Sequence, residues 1–236
     1  MRPQILVPDN AGMHNTTEYV ERLERENLYR DLSTVIVCPT RVGMIPARIV
    51  QSWQCLVRPM NQKVFGPFFI EGMEVAAAYN AAIDMILKEP TLSQCKFVLT
   101  LEEDNAPPPD GLIRLYESID DYDAVGGLYW TKGPGGQPMC YGDPDQMPLN
   151  FLPQIPKPDQ VTPCNGLGMG FTLFRTEMFR DERFKQGEWF RTLNGAEGSY
   201  TQDLYFFEQA RKIGYRSGCD ARVRVGHYDA AEQMMW

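Results

Sequence analysis

Cys95 to Gly111, which reads CKFVLTLEEDNAPPPDG, constrains this chain more than any other stretch. Phe97 to Leu101 is a short apolar run of strand-forming residues and reads as a buried strand. It runs into three consecutive acids, Glu102, Glu103 and Asp104, then Asn105. Pro107, Pro108 and Pro109 follow; they cannot continue a ladder and they fix a turn. Side chains alternate along a strand, so Glu102 and Asp104 are expected on one side and Glu103 on the other. Carboxylates converging at the end of a buried strand concentrate negative charge, which a hard divalent cation relieves. A solvated acidic turn is the plainer alternative.

The flanking pattern says what that strand belongs to. Thr34 to Cys38 (TVIVC) reads as a first core strand ended by Pro39-Thr40-Arg41, with a helix from about Pro46 to Leu56. A second strand near Lys63 to Phe65 leads through Gly72 to a helix over Met73–Leu87. Another helix is predicted from Pro109 to Ile119, and another strand from Ala124 to Trp130. Strand and helix alternate, which predicts an α/β fold with a mostly parallel central sheet and helices on both faces. At 236 residues this is one domain of generous size. In such sheets ligands sit at the carboxyl ends of the strands, where Arg41 and the acids both fall. Asn80 shares a helix face with Ala76, Ile83 and Leu87, so its amide requires a partner, either backbone or ligand.

Residues 132–163 interrupt the alternation with eight prolines, from Pro134 to Pro163, and four glycines. With Tyr141, Phe151 and Leu152 to bury, the segment reads as an ordered flap or lid. Gly166, Gly168 and Gly170 then lead into a strand. A G-x-G-x-G with no helix after it reads as close backbone packing before phosphate binding. Trp189 and Phe190 make an aromatic spot. Ser199 to Gln202 has capping-box spacing, opening a helix that stops at Gly214, with Asp203 in its first turn. The last strand, Ala221–His227, points Val223, Val225 and His227 one way and Arg222 and Arg224 the other. Residues 16–31 read as a charged peripheral helix, so 1–33 is taken as an N-terminal extension and 34–236 as the main domain.

The net charge of −8 argues against non-specific nucleic-acid binding. The acid-free segment 32–70, with Arg41, Arg48, Arg58 and Lys63, is the one stretch suited to phosphates. No apolar run approaches the roughly 20 residues of a membrane span, and the N-terminus lacks the apolar region of a signal peptide. Six scattered cysteines with no C-x-x-C, beside only two histidines, make a structural zinc site improbable. They read as free thiols in a reducing, cytoplasmic setting.

Taken together, these motifs resemble the GT-A-fold glycosyltransferases, especially family-2-like enzymes of bacteria and their phages. LTLEEDNAPPPD, ending at Asp110, looks like the strand that closes in the family's D-x-D motif. TQDLYFFEQARKIGY (201–215) looks like its E-D-x-x-F…A-x-x-x-G-Y helix, and RVRVGH (222–227) like its closing strand and histidine. The resemblance implies a nucleotide-sugar donor, UDP- or GDP-linked, whose diphosphate is held by Mn²⁺ or Mg²⁺ on Glu102, Asp104 and His227. Asp203 would be the base of an inverting transfer. Thr40, Arg41, Asn80, Glu103, Gly168 and Gln202 would contact the donor, and Trp189 and Phe190 the acceptor. Two departures stand out: Tyr79 replaces the Arg of the family's A-R-N helix, and Gln202 replaces a Glu. The acceptor is expected to be a saccharide or small molecule, with a hydroxymethylated pyrimidine in DNA as the phage-type alternative. A nucleotidyltransferase and a non-catalytic nucleotide-sugar-binding module are the more distant readings. The first would show a Gly-rich basic loop after the first strand, which CPTRVGM is not. The second would have lost Asp104 or Asp203.

Overall fold

In the computed structural model, residues 30–41, 43–195 and 198–236 are described. Contacts divide the chain into Met1–Leu32 and Ser33–Trp236. The helix expected over 16–31 falls almost wholly outside the described residues.

In chain order the strands of the second unit are β1 (Thr34–Thr40), β2 (Val64–Glu71), β3 (Phe97–Leu101), β4 (Asn105–Ala106), β5 (Ala124–Leu128), β6 (Cys140–Tyr141), β7 (Val161–Cys164), β8 (Gly166–Leu167), β9 (Phe171–Arg175), β10 (Leu193–Gly195), β11 (Gly198–Tyr200), β12 (Ser217–Arg224), β13 (Gly226–Asp229) and β14 (Met234–Met235). Seven of them form one sheet in the order β2-β1-β3-β9-β5-β12-β7. β1 pairs in parallel with β2 and β3, and β5 with β12; β9 runs antiparallel between β3 and β5, and β7 antiparallel on β12. The expected mostly parallel sheet is therefore present, with β9 and β7 as its two reversed members.

Both faces are covered, which is why β3 and β5 are buried at every position. Val35, Val37 and Val98 pack with Ala76, Tyr79, Ala82, Ile83 and Ile86 of the helix Val75–Lys88. On the opposite face Phe97 meets Tyr116 of the helix Gly111–Ser118 at 5.7 Å between ring centroids. The glycines of β5 are needed for contact: a Cβ on Gly127 would stand 2.7 Å from Val225 and 2.9 Å from Val223.

Several expectations are corrected. β2 runs on to Glu71, well past Phe65. The strand expected over Ala221–His227 is divided: β12 begins earlier, at Ser217, with Asp220 as a buried polar residue inside it, and ends at Arg224, while His227 lies on β13, which leaves the main sheet to pair with β4. The helix predicted from Ser199 has Thr201 as its N-cap, while Ser199 belongs to β11. The 132–163 segment is less of a loop than its prolines suggest, since Val161–Cys164 is edge strand β7. Its middle is laced down by Gly142 N–H to the Leu152 carbonyl (2.8 Å) and Gln154 N–H to the Cys140 carbonyl (2.9 Å). The cysteines are free, as expected. Yet Cys140, Cys164 and Cys219, far apart in sequence, lie buried in the same core cluster.

Candidate active site

The acidic stretch leaves the sheet at Leu101 and turns, with Asn105 N–H donating to the Glu102 carbonyl at 3.0 Å. The turn, rather than strand alternation, separates the three acids. Glu103 goes toward β1, where the Thr40 hydroxyl donates to its carboxylate. Glu102 and Asp104 stay together. The chain then forms β4, which pairs antiparallel with β13 in the register His227↔Asn105. This ladder carries His227 from the far end of the sequence to Asp104. Helix Ala47–Cys55 braces the turn from outside, with Trp53 Nε1–H donating to the Asn105 carbonyl (2.9 Å) and the Ser52 hydroxyl to the Pro107 carbonyl (2.7 Å).

Over the turn lies a cavity of about 650 Å³, whose lining includes Thr40, Arg41, Glu102, Glu103, Asp104, Lys132 and Tyr228. It sits at the carboxyl ends of β1 and β3, as an open α/β sheet dictates. His227 Nδ1 lies 2.7 Å from the Trp130 carbonyl. A carbonyl only accepts, so Nδ1 carries a proton, which leaves Nε2 as the ring nitrogen turned toward Asp104. Nε2 faces Asp104 Oδ2 at 3.5 Å, and Tyr129 holds the ring edge-on at 5.4 Å. A backbone carbonyl that fixes the tautomer from behind is the usual support of a metal-binding imidazole. Lys132 Nζ forms an ion pair with the same Asp104 oxygen.

The two carboxylates of the turn are driven apart. Burial and then the neighbouring charge of Asp104 push the Glu102 carboxyl up to about 7, against a hydrogen bond from the Tyr79 hydroxyl (3.0 Å). Burial acts on Asp104 in the same sense, but His227 and Lys132 outweigh it and hold Asp104 below the usual carboxylate range. Asp203 is 4 % exposed, and burial raises its pKa. Its charge reaches Glu102, Tyr129, Tyr141 and Tyr200, and its Oδ1 accepts from Leu204 N–H at 3.0 Å. Gln202 precedes it as the first residue of the same helix.

The structure thus gathers Glu102, Glu103, Asp104, Thr40 and Arg41 at one cavity, with His227 against Asp104 and Asp203 within electrostatic reach of Glu102. It does not bring the remaining residues there. Both amide atoms of Asn80 are taken by the Phe190 backbone, at 2.8 and 3.0 Å, so the backbone-partner alternative holds. Trp189 and Phe190 are 2 % and 1 % exposed and belong to the aromatic core, with Trp189 Nε1–H donating to the Phe179 carbonyl (3.1 Å). Their aromatic character suits core as well as surface, and the core claims them. Gly168 and Gly170 pack against Tyr129, whose hydroxyl accepts from Gly170 N–H at 2.8 Å; this is the close-packing alternative. Lys132 and the Tyr79–Glu102 contact were not foreseen. Lys132 is a cation directly after a strand in an otherwise acidic stretch, which was the available signal.

Among the described residues no three His, Cys, Asp or Glu side chains are arranged to hold a metal ion by themselves. The donor chemistry is nevertheless compatible with one. A carboxylate below its usual range, a second carboxylate and a tautomer-fixed imidazole suit Mn²⁺ or Mg²⁺ when oxygen atoms of a ligand complete the shell.

No protein-family model matches the chain, and no curated protein matches it in sequence. Solved structures do. A197 from STIV is similar over 86 % of this chain and 92 % of its own, with a TM-score of 0.60 and 18 % identity. GalNAc-T7, solved with UDP, GalNAc and Mn²⁺, is similar over 84 % of this chain and 44 % of its own, with a TM-score of 0.56 and 11 % identity. At these identities the likeness is one of fold. The fold is of the GT-A type. Among the described residues no helix is long and apolar enough to cross a membrane.

Proposed function

We propose that the chain is a glycosyltransferase that moves a sugar from a UDP- or GDP-linked donor to a hydroxyl of a saccharide or small-molecule acceptor, with inversion. The observation that carries this reading is the meeting of a tautomer-fixed His227 with Asp104, which lines an open cavity at the carboxyl end of β3. Glu102, Asp104 and His227 would hold the divalent ion. Such an ion supplies Lewis-acid stabilisation of the departing diphosphate. Arg41 borders the cavity as a cation for phosphate oxygens, and Glu103, steadied by Thr40, offers acceptor oxygens to donor hydroxyls. Asp203 takes the proton of the attacking hydroxyl, and its raised pKa moves it toward the range of an effective base. Tyr79 stands where the family has a basic residue; its hydroxyl donates to Glu102 and lowers that carboxyl, without supplying a positive charge.

Three of the basic residues that could meet the phosphates of a DNA acceptor have partners within the chain. Arg48 stacks over Tyr228 at 5.3 Å, Arg58 donates to the Val64 and Gly66 carbonyls, and Arg222 pairs with Asp220. Calorimetry with UDP and GDP, in Mn²⁺ and in EDTA, tests the donor half, and equal affinities in both would overturn it. A panel of nucleotide-sugars crossed with glycans, small molecules and hydroxymethylated DNA, read by mass spectrometry, tests the acceptor. A mass gain on DNA alone would overturn that part.

A further inference from the structure

Lys132 is displayed on a tight excursion between Trp130 and Pro138, which bridge each other. Thr131 N–H donates to the Gln137 carbonyl (2.9 Å), Gln137 N–H returns to the Thr131 hydroxyl (2.8 Å), and Gly136 N–H closes on the Gly133 carbonyl (3.1 Å). Gly133 and Gly135 have φ of +96° and +79°, a backbone that glycine adopts without strain. Nothing lies within 4 Å of where their side chains would start. The base of this excursion, Trp130, is the residue whose carbonyl fixes His227. Its tip sends Lys132 into the cavity, where the ammonium meets Asp104 Oδ2, the oxygen that His227 Nε2 also faces.

A divalent ion on that oxygen and an ammonium on the same oxygen exclude each other, because their repulsion acts across a short distance in a partly dry site. An ion arriving at Asp104 must therefore displace Lys132. The displaced ammonium remains on a short tether inside a cavity whose floor is acidic. Glu102 and Glu103 also line that cavity, and an anionic ligand arriving with the ion adds a further partner for the ammonium. We propose that Lys132 is an exchangeable counter-ion: it neutralises Asp104 before an ion binds, yields to the divalent ion, and then pairs with a phosphate of the bound nucleotide. This deepens the glycosyltransferase reading and rests on it for the identity of the phosphate, but the competition with the ion does not.

The exchange has an outcome of opposite signs. In Lys132→Met, Mn²⁺ added without nucleotide binds about tenfold more tightly, since the competing occupant is gone. UDP or GDP added at saturating Mn²⁺ binds about tenfold more weakly, since a charge-assisted contact is lost. Both are read by titration calorimetry on the full chain, with Mn²⁺ paramagnetic resonance as a second readout and thermal melting as a check on folding. Lys132→Arg restores the nucleotide arm. A residue that only shapes the loop would weaken both arms together, and that result overturns the proposal, as does a Mn²⁺ affinity unchanged by Lys132→Met. If the Mn²⁺ arm changes as stated while wild-type protein binds neither nucleotide, the exchange stands and the nucleotide-sugar reading fails.

Discussion

Two clusters of buried acid lie on this sheet, and they are built differently. On β12, Asp220 is fully buried and saturated. Ser118 donates to it at 2.7 Å, the Arg222 backbone and Nε at 3.0 Å each, and Arg222 Nη2 at 2.8 Å. Burial alone would push its carboxyl up, but these partners hold it below the usual range. At the end of β3, Glu102 has one hydrogen-bond donor, Tyr79, and sits beside two further carboxylates. One cluster is closed and neutral as a pair. The other is left short of positive charge and opens on a cavity. A buried carboxylate whose lone pairs are all used serves the fold; one left under-compensated is available to a ligand.

The comparison breaks most directly through stability. Asp220→Ala leaves the Arg222 guanidinium without its buried partner and is expected to cost about 3–5 kcal/mol in denaturant unfolding, with turnover per folded molecule unchanged. Asp104→Ala is expected to cost under about 1 kcal/mol, because its ion pair with Lys132 is partly exposed and like-charge repulsion on Glu102 is relieved, while activity is lost. Equal destabilisation by the two changes would erase the distinction.

Asp203 sharpens it next, being buried like Asp220 but under-compensated like Glu102. Asp203→Asn is expected to retain donor binding and lower turnover about 10²-fold or more. A product that keeps the donor's anomeric configuration would remove Asp203 from the role of base.

The pH dependence of the ion-free protein follows from Glu102. Its ordinary value of 4.5 rises to about 7 on folding, so the folded state binds the proton more tightly. The Glu102 contribution is therefore fully present below about pH 4.5 and is lost as pH rises through 7. After allowance for solvent screening the change is about 1–2 kcal/mol. Asp220 acts in the opposite sense, contributing above the ordinary carboxylate range and losing its effect as pH falls. Glu102→Gln should flatten the first slope and leave the second, as read from melting temperature against pH in EDTA. A slope unchanged in Glu102→Gln would reject the assignment.

The smallest effect is expected from Tyr79→Phe. Loss of its donor to Glu102 costs about 1 kcal/mol and raises the Glu102 titration further. Donor binding that improves in this variant would mean that the phenol competes with the ligand.

What the chain's own pattern determined is local and periodic. The apolar run Phe97–Leu101, the acids that follow it and the helix carrying Asp203 were all readable, because each depends on near neighbours and on the periods of strand and helix. What only the tertiary structure decided is which of two chemically equivalent partners each polar or aromatic group would find. Asn80 could bond backbone or ligand, and the Phe190 main chain reached it from 110 positions away. Trp189 and Phe190 suited a surface or a core, and the aromatic cluster buried them. Lys132 met Asp104, and Cys140 joined Cys164 and Cys219 in one core cluster, through strand pairings that leave no periodic trace in sequence. Local pattern sets which elements form, whereas the sheet order β2-β1-β3-β9-β5-β12-β7 sets which of their ends meet, and the site is made of such meetings.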